Sequence, residues 1–267
     1  MKRNLLFLIL LGICFCGTSA FAEGVDAYTE LLLHNDNLSF TDSSPYNHSV
    51  TSHGVQADPV VKKFGTGSAL FQGGDYLTIP DSNGWNFGTG DFTIDFWAKL
   101  NVKDTDQVLF SQYEDDDSYL QCWTNGGNRL LFRAVNGPQV AYYYSPNGSI
   151  NTGQWYHIAY ARNGSNFYTF LNGTSLSLSE VTPISTNDLG GLAGTIRIGW
   201  GNASMADWYL NGYLDEIRIS KGVARWTSDF TPPTEPYSAG IIPEPATVSL
   251  LGLGLFGLAF KKRKISK

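Results

Sequence analysis

Residues 91–100, DFTIDFWAKL, alternate without a break. Phe92, Ile94, Phe96, Ala98 and Leu100 fall on one side of an extended chain; Asp91, Thr93, Asp95, Trp97 and Lys99 fall on the other. A period of two places the first set on a buried sheet face and the second on a wetter one. The segment before it, GGDYLTIPDSNGWNFGTG (residues 73–90), carries a second strand pattern and a glycine-punctuated turn. Together they call for a sheet that packs one face against another layer.

Much of the chain repeats this signal. Strand patterns are expected at 28–34, 68–71, 76–79, 107–112, 118–124, 129–134, 139–144, 154–162, 166–171, 174–178, 195–200 and 213–220. Turn residues separate many of them: Asn125-Gly126-Gly127, Asn136-Gly137-Pro138, Asn147-Gly148, Asn163-Gly164 and Asn172-Gly173. Asn-Gly supplies the positive φ angles that tight hairpins require. Residues 41–54, rich in Ser, Asn and Asp, read as a polar loop. About a dozen short strands at this spacing predict an all-β, two-sheet antiparallel jelly-roll sandwich over residues 23–238. After Ser220 the pattern stops. Residues 221–237, with Trp226, Phe230 and three prolines, are expected along the sandwich edge.

Both ends read as address rather than fold. Residues 1–22 have a basic start (Lys2, Arg3), an apolar run and Ala20-Phe21-Ala22, the pattern of a secretory signal peptide cut before Glu23. A linker at 239–245 contains Pro243-Glu244-Pro245. An apolar run at 246–260 precedes Lys261-Lys262-Arg263-Lys264, so 246–267 reads as an apolar helix with a basic cytoplasmic tail. Fifteen helical residues at ~1.5 Å span ~22 Å, short of a ~30 Å hydrocarbon core. The basic cluster nevertheless acts as a stop signal with the cytoplasm on its side.

The whole chain carries a formal charge of −6, but residues 23–240 hold 11 Lys and Arg against 23 Asp and Glu, a net of −12. Such a surface repels phosphate backbones and excludes nucleic acid as partner; divalent cations and neutral glycans suit it. Cys14 and Cys16 leave with the leader, so Cys122 stands alone and is expected as a buried, inert thiol.

Little in the sequence points to catalysis. A retaining glycosidase needs two carboxyls ~5–5.5 Å apart and an inverting one ~6.5–9.5 Å. Asp91 and Asp95 share a face but lie ~13 Å apart at strand rise. Glu114 and Asp116 come nearer, within an acidic run that reads as a solvated loop. The histidines at 34, 48, 53 and 157 have no metal-ligand spacing. By alternation Asp215 is expected to share a face with Ile217 and Ile219 while Glu216 and Arg218 face out. An inward carboxylate must bind a metal, cap backbone amides or form a salt bridge, and all three stay open. Exposed aromatic rings are what a sugar would stack on. Tyr113, Trp123, Tyr143 and Trp200 are the candidates; Tyr142, Tyr143 and Tyr144 are consecutive, so at least one faces away from the core. Trp97 faces opposite Phe96, open to cover by a loop.

Two resemblances add to this reading. FGTGSAL (64–70), GDYLTIP (74–80), WNFGTGDFTIDFW (85–97), GQWYHIAYAR (153–162), FLNG (170–173) and GYLDEIRISKGVARW (212–226) followed by FTPP (230–233) resemble the laminin G-like, concanavalin A-like lectin/glucanase domain. That resemblance implies a jelly roll that binds glycans or proteins and often holds one structural calcium; the positions matching its metal site are Asp36, Gly74 or Asp75, and Asp215. Residues 242–264 resemble the PEP-CTERM sorting tail. This implies a bacterial envelope, membrane association through the tail, and an exosortase-type processing enzyme acting near Pro243, Glu244 and Pro245. The resulting expectation is an exported, non-catalytic module at the cell surface or in the matrix that binds a glycan or exopolysaccharide. The alternatives are a structural or adhesive protein that contacts other proteins, and a glycoside hydrolase using Glu114 or Asp116.

Overall fold

The computed structural model describes residues 24–36, 40–202 and 207–238. The signal peptide, Pro243, Glu244, Pro245 and the apolar tail lie outside the described residues. Two antiparallel sheets stack as a sandwich. In the first, the order is β13 (Thr174–Ser175), β12 (Asn166–Leu171), β11 (Tyr156–Asn163), β6 (Phe92–Leu100), β16 (Asn211–Lys221), β4 (Ser68–Gln72) and β3 (Gln56–Asp58). β1 (Thr29–Leu33) takes the part of the β16 edge that β4 leaves. In the second, the order is β14 (Ser179–Thr182), β10 (Gln139–Tyr144), β9 (Leu130–Asn136), β8 (Ser118–Thr124), β7 (Gln107–Asp115), β15 (Thr195–Ile198), β5 (Tyr76–Ile79) and β2 (Thr51–His53). Among the described residues the only helical turn is a short 3-10 turn at Asn83–Trp85.

The alternating strand β6 lies near the middle of the first sheet. Phe92, Ile94, Phe96, Ala98 and Leu100 point into the core with Phe110, Leu120, Cys122, Phe132 and Ile196 from the second sheet. Phe132 closes the layer between Phe92 and Phe167, with ring centroids 6.0 and 4.4 Å away. Cys122 is buried, and burial pushes its thiol well above its ordinary range.

The opposite side of β6 departs from expectation. Thr93, Asp95 and Trp97 are buried too. Their cover is residues 222–238, which cross this outer face instead of following the sandwich edge. Trp226 and Phe230 stack 4.0 Å apart and meet the ring of His157 edge-on. Beneath them Arg218 donates two hydrogen bonds to Asp95, at 3.0 and 3.2 Å, and Tyr237 donates a third. Burial opposes the charge on Asp95, but the Arg218 guanidinium and the hydrogen bonds hold its carboxyl well below the usual range. Burial lowers the pKa of His157, so it serves as a neutral partner of Asp95, 3.4 Å away. The segment ends where Ser238 pairs with Gly24, bringing the two ends of the described domain together.

Three further expectations change. The polar loop at 41–54 contains β2, and β3 follows at once; both are three-residue edge strands with few buried side chains and no apolar alternation to announce them. The strand expected at 174–178 stops at Ser175, and the chain crosses to the second sheet as β14. In β16 a bulge lies between Asp215 and Arg218, with Glu216 at φ 48. The bulge breaks the alternation. Asp215 therefore pairs with Trp97 on the outer face, away from Ile217 and Ile219, while Glu216 and Arg218 are buried under the crossing segment.

Candidate functional site

With the first sheet covered by residues 222–238, the side chains left to account for are those on the outer face of the second sheet. Period two along β8, β9 and β10 sends Leu120, Cys122, Phe132 and Tyr143 inward. The same period turns Tyr119, Gln121, Trp123, Leu131, Arg133, Tyr142 and Tyr144 outward. Across the strands the register aligns them in rows. Tyr142, Arg133, Gln121, Ser111, Arg197, Thr78 and Thr51 are successive cross-strand partners. A second row runs Tyr144, Leu131, Trp123 and Val108. The first row crosses seven strands from β10 to β2, about 29 Å at ~4.8 Å per strand.

Aromatic rings and guanidinium groups interleave along this face. Trp123 stacks between Tyr142 and Trp208, with centroids 6.1 and 6.5 Å away. Arg129 lies 4.6 Å over Tyr144, and Arg133 lies between Tyr142 and Tyr119 at 5.8 and 5.7 Å. Arg197 sits 5.4 Å from both Tyr113 and Trp200. The aromatic path then continues from Trp200 to Tyr209, Tyr76 and His53. Such packing fixes the rings at known spacing before any ligand arrives, which lowers the ordering cost of binding.

The four aromatic residues chosen from the sequence have different fates. Tyr113 and Trp200 are half-buried on this face. Trp123 is there too, but at 7% exposure it is the floor on which Tyr142 and Trp208 lean. Tyr143 is a correction: it is 3% exposed, stacks on Phe167 in the core and accepts a hydrogen bond from the Ile184 amide. Its neighbours Tyr142 and Tyr144 face out instead. Sequence reading missed Tyr119, Arg129, Arg133, Tyr142, Tyr144, Arg197 and Trp208 as a set. The period-two phase of β8 to β10 was the available signal for four of them, Tyr119, Arg133, Tyr142 and Tyr144.

The four residues matched to a calcium site do not come together. Asp215 accepts the amides of Lys63 and Phe64 at 2.8 and 3.1 Å, and that of Glu216 at 2.9 Å. Asp36 accepts the amides of Thr66 and Gly67, so both carboxylates brace one loop at 63–67. Asp75 instead closes the turn after β4 by accepting the Gln72 amide, and Gly74 has open space around it. Gln72 pairs with Asn211, four residues from Asp215 along β16, or ~13 Å at strand rise. Among the described residues no group of three or more His, Cys, Asp or Glu is gathered as metal ligands. The residues as placed do not fit a shared calcium. The acidic run behaves likewise: Glu114 accepts the Ala193 amide, and Asp116 accepts a hydrogen bond from the Tyr113 hydroxyl.

Comparison with known families supplies the decisive match. The family model described as the concanavalin A-like lectin/glucanases superfamily covers residues 71–227. The chain belongs to this superfamily. A second model, the PEP-CTERM protein-sorting motif, matches residues 242–264. Among curated protein sequences there is no match. Solved structures place the superfamily fold beside several binding domains. Domain 4 of AbnA, a GH43 extracellular arabinanase from Geobacillus stearothermophilus, solved with arabinotriose, aligns with a TM-score of 0.58 at 19% identity, over 76% of this chain and 95% of that one. The binding domain of Paraclostridial Mosquitocidal Protein 1 aligns at 0.57 and 14% identity, over 74% and 50%. A botulinum neurotoxin type C structure, described through cell entry dependent on two ganglioside molecules, aligns at 0.54 and 16%, over 74% and 49%. The chain spans about half the length of these two toxin structures. At these identities the likeness is one of fold.

Proposed function

We propose that the protein is an exported, non-catalytic glycan-binding module of the cell surface or extracellular matrix. The observation that carries this reading is the outer face of the second sheet. There the half-buried rings of Tyr113 on β7, Tyr142 and Tyr144 on β10, and Trp200 and Trp208 in the loops beside them share one face. Ring faces meet the C–H faces of pyranose or furanose sugars, and the half-buried or exposed Arg133, Arg197, Thr78 and Thr51 side chains meet their hydroxyls. The row from Tyr142 to Thr51 contains no carboxylate, which supports binding over hydrolysis. Fold neighbours that include a domain solved with arabinotriose support the same choice. The sorting motif supports export and processing by an exosortase-type enzyme.

The test is binding of the full chain to immobilised polysaccharides, with Tyr142→Ala and Trp200→Ala as variants. Each substitution is expected to weaken retention about fivefold, since stacking of a ring is of order 1 kcal/mol. Retention on no polysaccharide, or variants that bind like the parent, refutes the assignment. Reducing-end release from any retained polymer would reverse the non-catalytic part.

A further inference from the structure

Resting on that reading, we propose that the glycan taken by this face is anionic: a polysaccharide of uronic acids, whose carboxylates pair with Arg129, Arg133 and Arg197. The first observation is a mismatch of charge. Residues 23–240 carry a net charge of −12. Yet half of the arginines in that range, Arg129, Arg133 and Arg197, lie on one face, and none forms a salt bridge among the described residues. Arg197 donates a hydrogen bond to the Gly201 carbonyl at 2.8 Å, while the other three are buried and spent on structure. Arg218 and Arg225 pair with Asp95 and Asp26, and Arg162 donates to the carbonyls of Gly88, Gly164 and Ser185.

The second observation concerns hydrogen bonds. The Nε–H groups of Arg129 and Arg133 are buried and have no partner among the described residues. Stacking over Tyr144, Tyr142 and Tyr119 holds each guanidinium plane but satisfies none of its in-plane donors. A carboxylate reaching the outer edge of that plane takes two parallel N–H bonds from the terminal nitrogens, the fork geometry that makes Arg the selective partner of carboxylates. The carboxylate of Asp116 accepts a hydrogen bond from the Tyr113 hydroxyl. Arg133 and Arg197 also belong to one cross-strand row, with Gln121 and Ser111 between them. Three strand steps separate them, about 14 Å. Charges at that spacing meet a polymer with carboxylates on several of its sugars, and a single acidic monosaccharide cannot reach both.

Alginate, polygalacturonate and hyaluronan, each beside its carboxyl-reduced neutral form, are the probes for the full chain in mild detergent. At least one acidic polymer is expected to bind at least tenfold more tightly than its reduced form at low salt, with affinity falling as salt rises. Arg129→Gln with Arg133→Gln is expected to abolish that preference. Melting curves of the variant check that it folds. The comparison of acidic with reduced polymer on the parent protein needs no variant at all. If a neutral or reduced polymer binds as well as the acidic ones, or if the double variant keeps the preference, the anionic inference fails while glycan binding stands. If all acidic and neutral polymers fail to bind, glycan binding itself is refuted.

Discussion

Asp215 occupies the point where β16 bulges, and its neighbours decide what it does. Both of its oxygens accept backbone amides, from Lys63, Phe64 and Glu216. Burial pushes its carboxyl up to about 7, against the pull of those three amides. An amide side chain offers one oxygen where the carboxylate offers two, and its nitrogen would face N–H donors. Asp215→Asn is therefore expected to cost about 1–3 kcal/mol, or several degrees of melting temperature for a domain of this size. Because Asp36 and Asp215 hold a loop instead of converging with Asp75, melting with calcium and with chelator is expected to coincide; a calcium-dependent rise of several degrees that Asp215→Asn removes would overturn that. The sequence showed that Asp215 needed compensation. It did not show which kind, because main-chain donors leave no mark in the sequence and the bulge at Glu216 shifts the phase by one residue.

Among the elements, the crossing segment of residues 222–238 is the least expected. Its tightest contact is at the β12–β13 hairpin. The turn Asn172-Gly173 was legible from the sequence, and both residues have positive φ, at 51 and 78. The reason for glycine was not legible: a Cβ on Gly173 would lie 2.0 Å from the carbonyl oxygen of Phe230, whose amide in turn donates to the Gly173 carbonyl at 2.9 Å. Gly173→Ala is expected to cost about 1–3 kcal/mol from backbone strain alone and to lift Phe230 and Trp226 off the sheet. Loss of melting temperature together with a red-shifted, more quenchable tryptophan emission would report both effects. An unchanged emission with the same loss would confine the damage to the hairpin. The strands of the core were legible because one side is apolar and the other polar. β2, β3 and β14 were not, since short exposed edge strands owe their place to a neighbour's hydrogen bonds. The outer face of β6 was misread because its cover comes from a segment about 130 residues later, beyond the reach of local periodicity.

At the scale of the molecule, the two sheets divide the work. The first sheet takes the covering segment and joins the two ends of the domain at the Gly24–Ser238 pair, just before the sorting motif. The second sheet presents the aromatic and arginine rows on the far side of the sandwich. An anchor leaving from Ser238 thus starts from the sheet opposite the proposed binding face. The ionisable groups concentrated around the first sheet set the pH response. His34 bonds Glu216 at 2.7 Å, and although burial opposes its charge, Glu216, Asp36 and Asp215 raise its pKa above the ordinary 6.5. Its contribution is complete below pH 6.5 and is lost as pH rises through the higher folded value. Asp215, raised from 3.8 to about 7, acts in the same direction: the folded chain keeps a proton that the unfolded chain has released, so stability falls between those values as pH rises. Asp95 and Asp26 have lowered pKa values, because Arg218 and Arg225 outweigh their burial. Their contribution is present above the ordinary carboxylate pKa and is lost only in stronger acid. The melting temperature is therefore expected to be higher at pH 5 than at pH 8, with His34→Gln flattening the upper part of the decline and Asp215→Asn the lower. A melting temperature that instead climbs from pH 5 to 8 would mean that His34 and Asp215 do not control stability in this range.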